Sequence, residues 1–195
     1  MKHDPEHALV RLFEGLDRLE MPYMVAGSVA SSVHGFWRAT NDVDAVVLIT
    51  RERVDEFAAE FGAEFYLDAD HIRQALLHQR AFNIIHLESS YKFDIFPLTG
   101  DHFQKVQFSR RRYETASVFG GPGIEVAVAS PEDIILSKLS WYRKGGEVSE
   151  QQWKDILGVA SMQRRSLDYV YLRQWAQHLK VEDLLESALA ERHSE

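Results

Sequence analysis

The chain has 195 residues, 45% hydrophobic and 27% charged, with a formal net charge of −8, which suits one well-packed core of ordinary globular composition. That charge argues against a broad electrostatic grip on nucleic acid, and the absence of cysteine excludes disulfides and thiolate metal sites. No apolar run approaches the roughly 18 residues of a membrane span, and the start MKHDPEHALVRLFEGLDRLE lacks a signal peptide's apolar core, so a cytoplasmic protein with no membrane partner is expected.

The first helix is expected to start near Asp4-Pro5, with an acidic cap and proline in the first turn; Leu9, Leu12, Phe13, Leu16 and Leu19 follow at helical spacing. PYMVAG reads as a short strand ending in glycine, and SVASSVHGF as a small-residue helix capped by Ser28. DVDAVVLIT, rich in branched residues, reads as a buried strand. Thr50 is the expected cap of a helix carrying Val54, Phe57, Ala58 and Phe61, and Asp68 caps ADHIRQALLHQ.

The period then changes to two. FNIIHLE and YKFDIFPL read as strands joined by a turn at Ser89-Ser90, followed by a loop holding Arg110, Arg111 and Arg112. YETASVF and IEVAVA form a further hairpin around Gly120–Gly123, a glycine cluster that reads as a plain turn because no helix and no P-loop lysine follow it. From Ser130 onward the pattern is helical. SPED is a helix start with Ser130 as cap, SEQQWKDILGVA opens with a Ser149-to-Gln152 capping box, and two more helices fall near residues 167–178 and 181–191. The expected architecture is α+β: a mixed-sheet core over residues 1–129 and a C-terminal helical region over 130–195.

The chemistry concentrates in AGSVASSVHGFWRATNDVDAVV, residues 26–47. In a strand, residues i and i+2 share a face, so Asp42 and Asp44 project together while Val43 enters the core. Side-by-side carboxylates repel unless a cation separates them, and a hard cation such as Mg²⁺ favours oxygen ligands. Asp94, set in the apolar strand KFDIF, is a candidate third ligand; an ion pair with Lys92 on the same strand face is its alternative reading. Three converging carboxylates suit a two-metal phosphoryl or nucleotidyl transfer. Gly27-Ser28, where a strand turns into a helix, offers backbone N–H groups to phosphates. Arg38 would neutralise phosphate charge, unless it is a surface residue.

Gly27-Ser28, then Asp42-Val43-Asp44, then a separate strand with Asp94, resembles the nucleotidyltransferase superfamily typified by DNA polymerase beta. HGFWRATNDVDAVV and the later SPEDIILSKLSWYRKGGEVSEQQWKDILGV are similar to small bacterial and archaeal members, including the toxin of abortive-infection type IV toxin–antitoxin systems. The resemblance spans about residues 20–160. It implies a nucleotidyltransferase core in which Asp42, Asp44 and Asp94 ligate Mg²⁺ or Mn²⁺ and are catalytic, with Asp94 also activating the acceptor hydroxyl. It further implies that Gly27, Ser28, Arg38 and Lys138 bind the triphosphate of an NTP substrate. Lys138 has a plainer alternative as a solvent-facing helix lysine, and Asp155 recurs in the family without a role deduced from sequence. Small bacterial members often carry Gly-Gly where Gly27-Ser28 stands, a departure that puts the detail of phosphate approach in question.

The leading expectation is transfer of a nucleoside monophosphate from an NTP to a hydroxyl of an RNA end, a protein or a small molecule. The alternatives are a nucleotide-binding module without turnover and a toxin–antitoxin component acting through a protein partner. The nine histidines show no zinc spacing, and AGSVA lacks the second glycine of a nucleophile elbow. Trp141, Trp153 and Trp175 read as helix packing, and the triple arginine as a solvated loop or a contact to RNA phosphates.

Overall fold

The computed structural model describes residues 5–40, 42–116 and 123–191. Asp4, the expected first cap, and residues 120–122 of the glycine cluster lie outside them. The first helix, α1 (Pro5–Arg18), buries Leu9, Leu12, Phe13 and Leu16. Then come β1 (Tyr23–Val25), α2 (Gly27–His34) and β2 (Asp42–Val47). A 3₁₀ turn over Arg51–Arg53 leads into α3 (Val54–Phe61); Thr50 precedes that turn, but its side chain makes no capping hydrogen bond. After β3 (Phe65–Tyr66), Asp68 caps α4 (Ala69–Leu77) by accepting from the His71 N–H at 2.9 Å.

β4 (Phe82–His86) and β5 (Lys92–Pro97) form the expected hairpin, with Ser90 at φ 56° in its turn. The segment read as an arginine loop is instead α5 (His102–Arg110), capped by Asp101, and Arg112 already belongs to β6 (Arg112–Ala116). β7 (Ile124–Val128) pairs antiparallel with β6. Ser130 and Ser149 cap α6 (Pro131–Lys144) and α7 (Glu150–Met162) as their sequence signatures predict. α8 (Tyr169–Leu179) and α9 (Glu182–Glu191) complete the described chain.

The strands form one mixed sheet in the order β3-β4-β5-β2-β1-β7-β6. Alternation along them separates its faces. Val43, Ala45, Val47, Phe82, Ile84, Phe93 and Ile95 are buried on one face, where Phe57 meets Phe82 edge-on and Phe61 and Phe93 both meet Phe65, favourable aromatic geometries. On the opposite face α2 lies against β2 and also meets α6 and α7. Buried residues on both sides of Ala129 belong to one continuous cluster, so the helices after it share the core of the sheet.

Candidate active site

The position of the carboxylates follows from strand register. β2 pairs in parallel with β5, setting Asp42 opposite Lys92 and Asp44 opposite Asp94. Val43 and Phe93 between them are fully buried, so the four charged side chains share the other face. On that face Lys92 Nζ lies 2.7 Å from Asp94 Oδ2 and 3.9 Å from Asp42 Oδ2. The alternative reading of Asp94 as an ion-pair partner is therefore realised. Asp42 accepts from the Thr40 hydroxyl at 3.0 Å, and Tyr91 donates to the Thr40 carbonyl at 2.8 Å.

Asp44 is different. Among the described residues, no donor or cation bonds its carboxylate. Burial, then the charges of Asp42 and Asp94, push its carboxyl up to about 6, with Lys138 and Lys92 pulling the other way. It abuts the turn at Gly27, where φ is +58° and a Cβ would fall 1.8 Å from Asp44 Oδ2. Only glycine fits there, on conformational and spatial grounds alike. The helix begins at Gly27 with Ala26 in the cap position, so Ser28 is not the cap the sequence suggested. Its hydroxyl instead accepts from the Arg38 guanidinium.

Arg38 and Lys138 converge on one acid. Asp155, on α7, accepts from Arg38 Nε at 3.0 Å, from Lys138 Nζ at 2.8 Å and from Gln151 Nε2 at 3.0 Å. Burial raises the Asp155 carboxyl, but the hydrogen bonds from Arg38 and Lys138 outweigh it and hold it below its ordinary value. The plainer reading of Lys138 fails, because this lysine is buried. Asp155 thereby acquires a role in positioning both cations, and one helical turn of spacing is the only sequence hint of Gln151 beside it.

Gly27, Ser28, Arg38, Asp44 and Lys138 line a single cleft of about 590 Å³; Asp42 and Asp94 stand outside its lining. The cleft extends over Val46 and Phe96 to Trp141 and Gln107. Trp141 is 57% exposed, so it is not packed as its helical position suggested, and sequence periodicity carries no sign of that. Two of the three arginines are engaged within the fold: Arg110 pairs with Glu132 and Asp133 and stacks on the Tyr171 ring at 3.8 Å, and Arg111 lies over Phe108, while Arg112 is exposed on β6.

The oxygen donors of Asp42 and Asp44 suit a hard divalent cation, and the crowded Gly27 contact holds Asp44 facing the cleft. Among the described residues, no three acidic or histidine side chains are grouped to hold a metal as they stand, and Asp94 is engaged by Lys92.

No protein-family model and no curated protein matches the sequence. Solved structures do match. One is an antigenic nucleotidyltransferase-like protein from Paracoccidioides brasiliensis, at 20% identity over 94% of this chain and 91% of that one, with a TM-score of 0.54. The chain has a nucleotidyltransferase fold. The lincomycin-bound lincosamide antibiotic adenylyltransferase LnuA shares it, at 13% identity over 80% of this chain and 97% of that one, TM-score 0.54. So does ANT(2'')-Ia in complex with adenylyl-2''-tobramycin, at 13% identity over 89% and 95%, TM-score 0.53. At these identities the nucleotidyltransferase likeness is one of fold. No described helix is long and apolar enough to cross a membrane.

Proposed function

We propose that the protein is a nucleotidyltransferase that moves a nucleoside monophosphate from an NTP to a hydroxyl acceptor. The observation carrying this reading is the cleft itself, where a glycine turn at a helix start, two cations and a carboxylate without a bonding partner among the described residues face one space. The N–H groups at the start of α2, with Arg38 and Lys138, would take the triphosphate. Asp42 and Asp44 would hold Mg²⁺ or Mn²⁺, and Asp94 would join them after leaving Lys92. The metal would supply charge stabilisation at the phosphoryl oxygens. The acceptor hydroxyl, losing its proton to Asp94, would form a bond to the α-phosphorus as the bond to pyrophosphate breaks.

The test is thermal stabilisation by each of the four NTPs, with and without Mg²⁺, since a ligand bound only to the native state raises stability by mass action. A shift that needs Mg²⁺ and vanishes in Asp44→Asn supports the reading, and the absence of any shift in the wild type overturns it.

A second reading, a nucleotide-binding module without turnover, draws on the Lys92–Asp94 pair: with Lys92 kept in place, the acid that should activate the acceptor is occupied. It is distinguished by nucleotide stabilisation with no pyrophosphate release under any acceptor. The toxin role and an antitoxin partner rest on the sequence resemblance; growth arrest on expression, relieved by a neighbouring gene product, is their signature.

A further inference from the structure

Among the described residues, the carboxylate side of the sheet grows more exposed toward its β3 edge. β4 pairs antiparallel with β5 and sets Asn83 opposite Asp94 and Ile85 opposite Lys92, and β3 sets Tyr66 opposite Ile85. Residues opposite one another across neighbouring strands share a face. Two rows therefore cross the sheet on its carboxylate side. One runs Asp44, Asp94, Asn83; the other runs Asp42, Lys92, Ile85, Tyr66. Their alternates Phe65, Phe82, Ile84 and Phe93 are buried beneath the helices of the other face. In these rows burial falls away outward: Asn83 is exposed, and Tyr66 is 65% exposed although it is a large aromatic residue.

We propose that this open face is the acceptor platform, an inference that rests on the nucleotidyltransferase reading above. The hydroxyl to be modified would sit at Asp94, Asn83 would bond a neighbouring polar group of the same molecule, and Tyr66 would stack against a ring. Neighbouring strands are about 4.8 Å apart, which places Tyr66 roughly 10 Å from the β5 row. That reach matches an acceptor of two or three linked rings.

Charge selects among acceptors. Lys92 is the one cation in the two rows; it pairs with Asp94 in this structure and, once released as the reaction above requires, is a single ammonium beside the carboxylates of Asp42, Asp44 and Asp94. One lysine offers a single phosphate contact, whereas a phosphate backbone is held by several lysines or arginines at its phosphates. The occupant is therefore an uncharged or cationic, hydroxyl-bearing ring compound rather than an RNA end. Tyrosine also suits it, offering an apolar ring face with a polar edge.

The experiment supplies the four α-³²P-labelled NTPs and Mg²⁺ together with two acceptor pools. One is the anion-exchange flow-through of a small-molecule cell extract, which holds its uncharged and cationic compounds; the other is total RNA. The expected result is label in the flow-through pool, with acceptor kcat/KM about tenfold lower in Tyr66→Ala and in Asn83→Ala. Nucleotide stabilisation stays at the wild-type value in both variants. Tyr113, equally exposed on the far edge strand β6, is the control, and Tyr113→Ala transfers as the wild type does. Label on RNA alone, label in neither pool, or Tyr66→Ala transferring as well as the wild type each overturns the platform. Loss of nucleotide stabilisation in the wild type is a separate result that removes the parent reading.

Discussion

Lys138 and Asp155 meet at 2.8 Å with both side chains largely shielded from water. The pair joins α6 to α7, and through Arg38 it joins both to the loop ahead of β2. A charge pair in that setting matters less for what it adds than for what remains when one partner is lost.

Asp155→Ala leaves two cations facing each other and is expected to cost about 2–4 kcal/mol in chemical denaturation at pH 7. The pH dependence follows from the lowered folded-state value. A carboxyl depressed on folding contributes fully above its unfolded value, near 4, and loses that contribution as pH falls through the folded value. The stability gap between wild type and Asp155→Asn should therefore narrow as pH drops below about 4. A gap that stays constant down to pH 3 would contradict the assignment.

Asp44 carries the opposite sign. Its carboxyl is pushed up to about 6, so holding it ionised costs stability, a cost that grows as pH rises from about 4 to 6 and is complete above that. Asp44→Asn is expected to raise the unfolding free energy at pH 8 by about 1–3 kcal/mol and to give no gain at pH 4. The same variant loses Mg²⁺-dependent nucleotide stabilisation. Calorimetry at the two pH values checks both halves.

Gly27→Ala places a methyl group on the Asp44 carboxylate and strains a left-handed turn. The expected loss is about 2–3 kcal/mol, of which roughly 1 kcal/mol is backbone strain. An Asp44→Ala background removes the carboxylate contact and leaves the strain and a 2.9 Å approach to the Cβ at position 44, so the two substitutions are non-additive in a double-mutant cycle. Additivity would mean that the two residues do not touch.

Lys92→Met removes the ammonium that bonds Asp94. Three carboxylates then share the sheet face with no internal counter-charge, and Mn²⁺ binding, read by electron paramagnetic resonance, should tighten by up to about tenfold. Unchanged Mn²⁺ affinity would place the ion away from Asp94.

Much of this arrangement was legible in residue order. The caps at Asp68, Ser130 and Ser149 depend on local hydrogen bonds that a four-residue pattern encodes, and all three form. The shared face of Asp42 and Asp44 follows from the two-residue strand period. What escaped needed tertiary information. β3 is two residues long, too short for any periodicity, and α5 buries only Phe103, Gln107 and Phe108 among polar neighbours. The exposure of Trp141 depends on the cleft beside α6, and the two cationic partners of Asp155 lie 117 and 17 residues away. Lys92 stands two residues before Asp94 in sequence, but only the folded geometry chooses between pairing and ligation.

The parallel pairing of β2 with β5 has a kinetic consequence. Everything from Leu48 to Tyr91 must be threaded as an excursion before Asp44 meets Asp94, and Lys138 and Asp155 arrive later still along the chain. Contacts separated so widely form slowly, because the loop must close before its pairing is rewarded. On a ribosome Arg38, Asp42, Asp44, Lys92 and Asp94 would all emerge before Lys138 and Asp155, so the acids of the sheet meet Lys92 first and the cleft's own cations are tied to Asp155 last. A chain stalled before α7 would hold the cleft's two cations, Arg38 and Lys138, without the acid that ties them together, so the cleft gains its charge balance only once α7 has emerged.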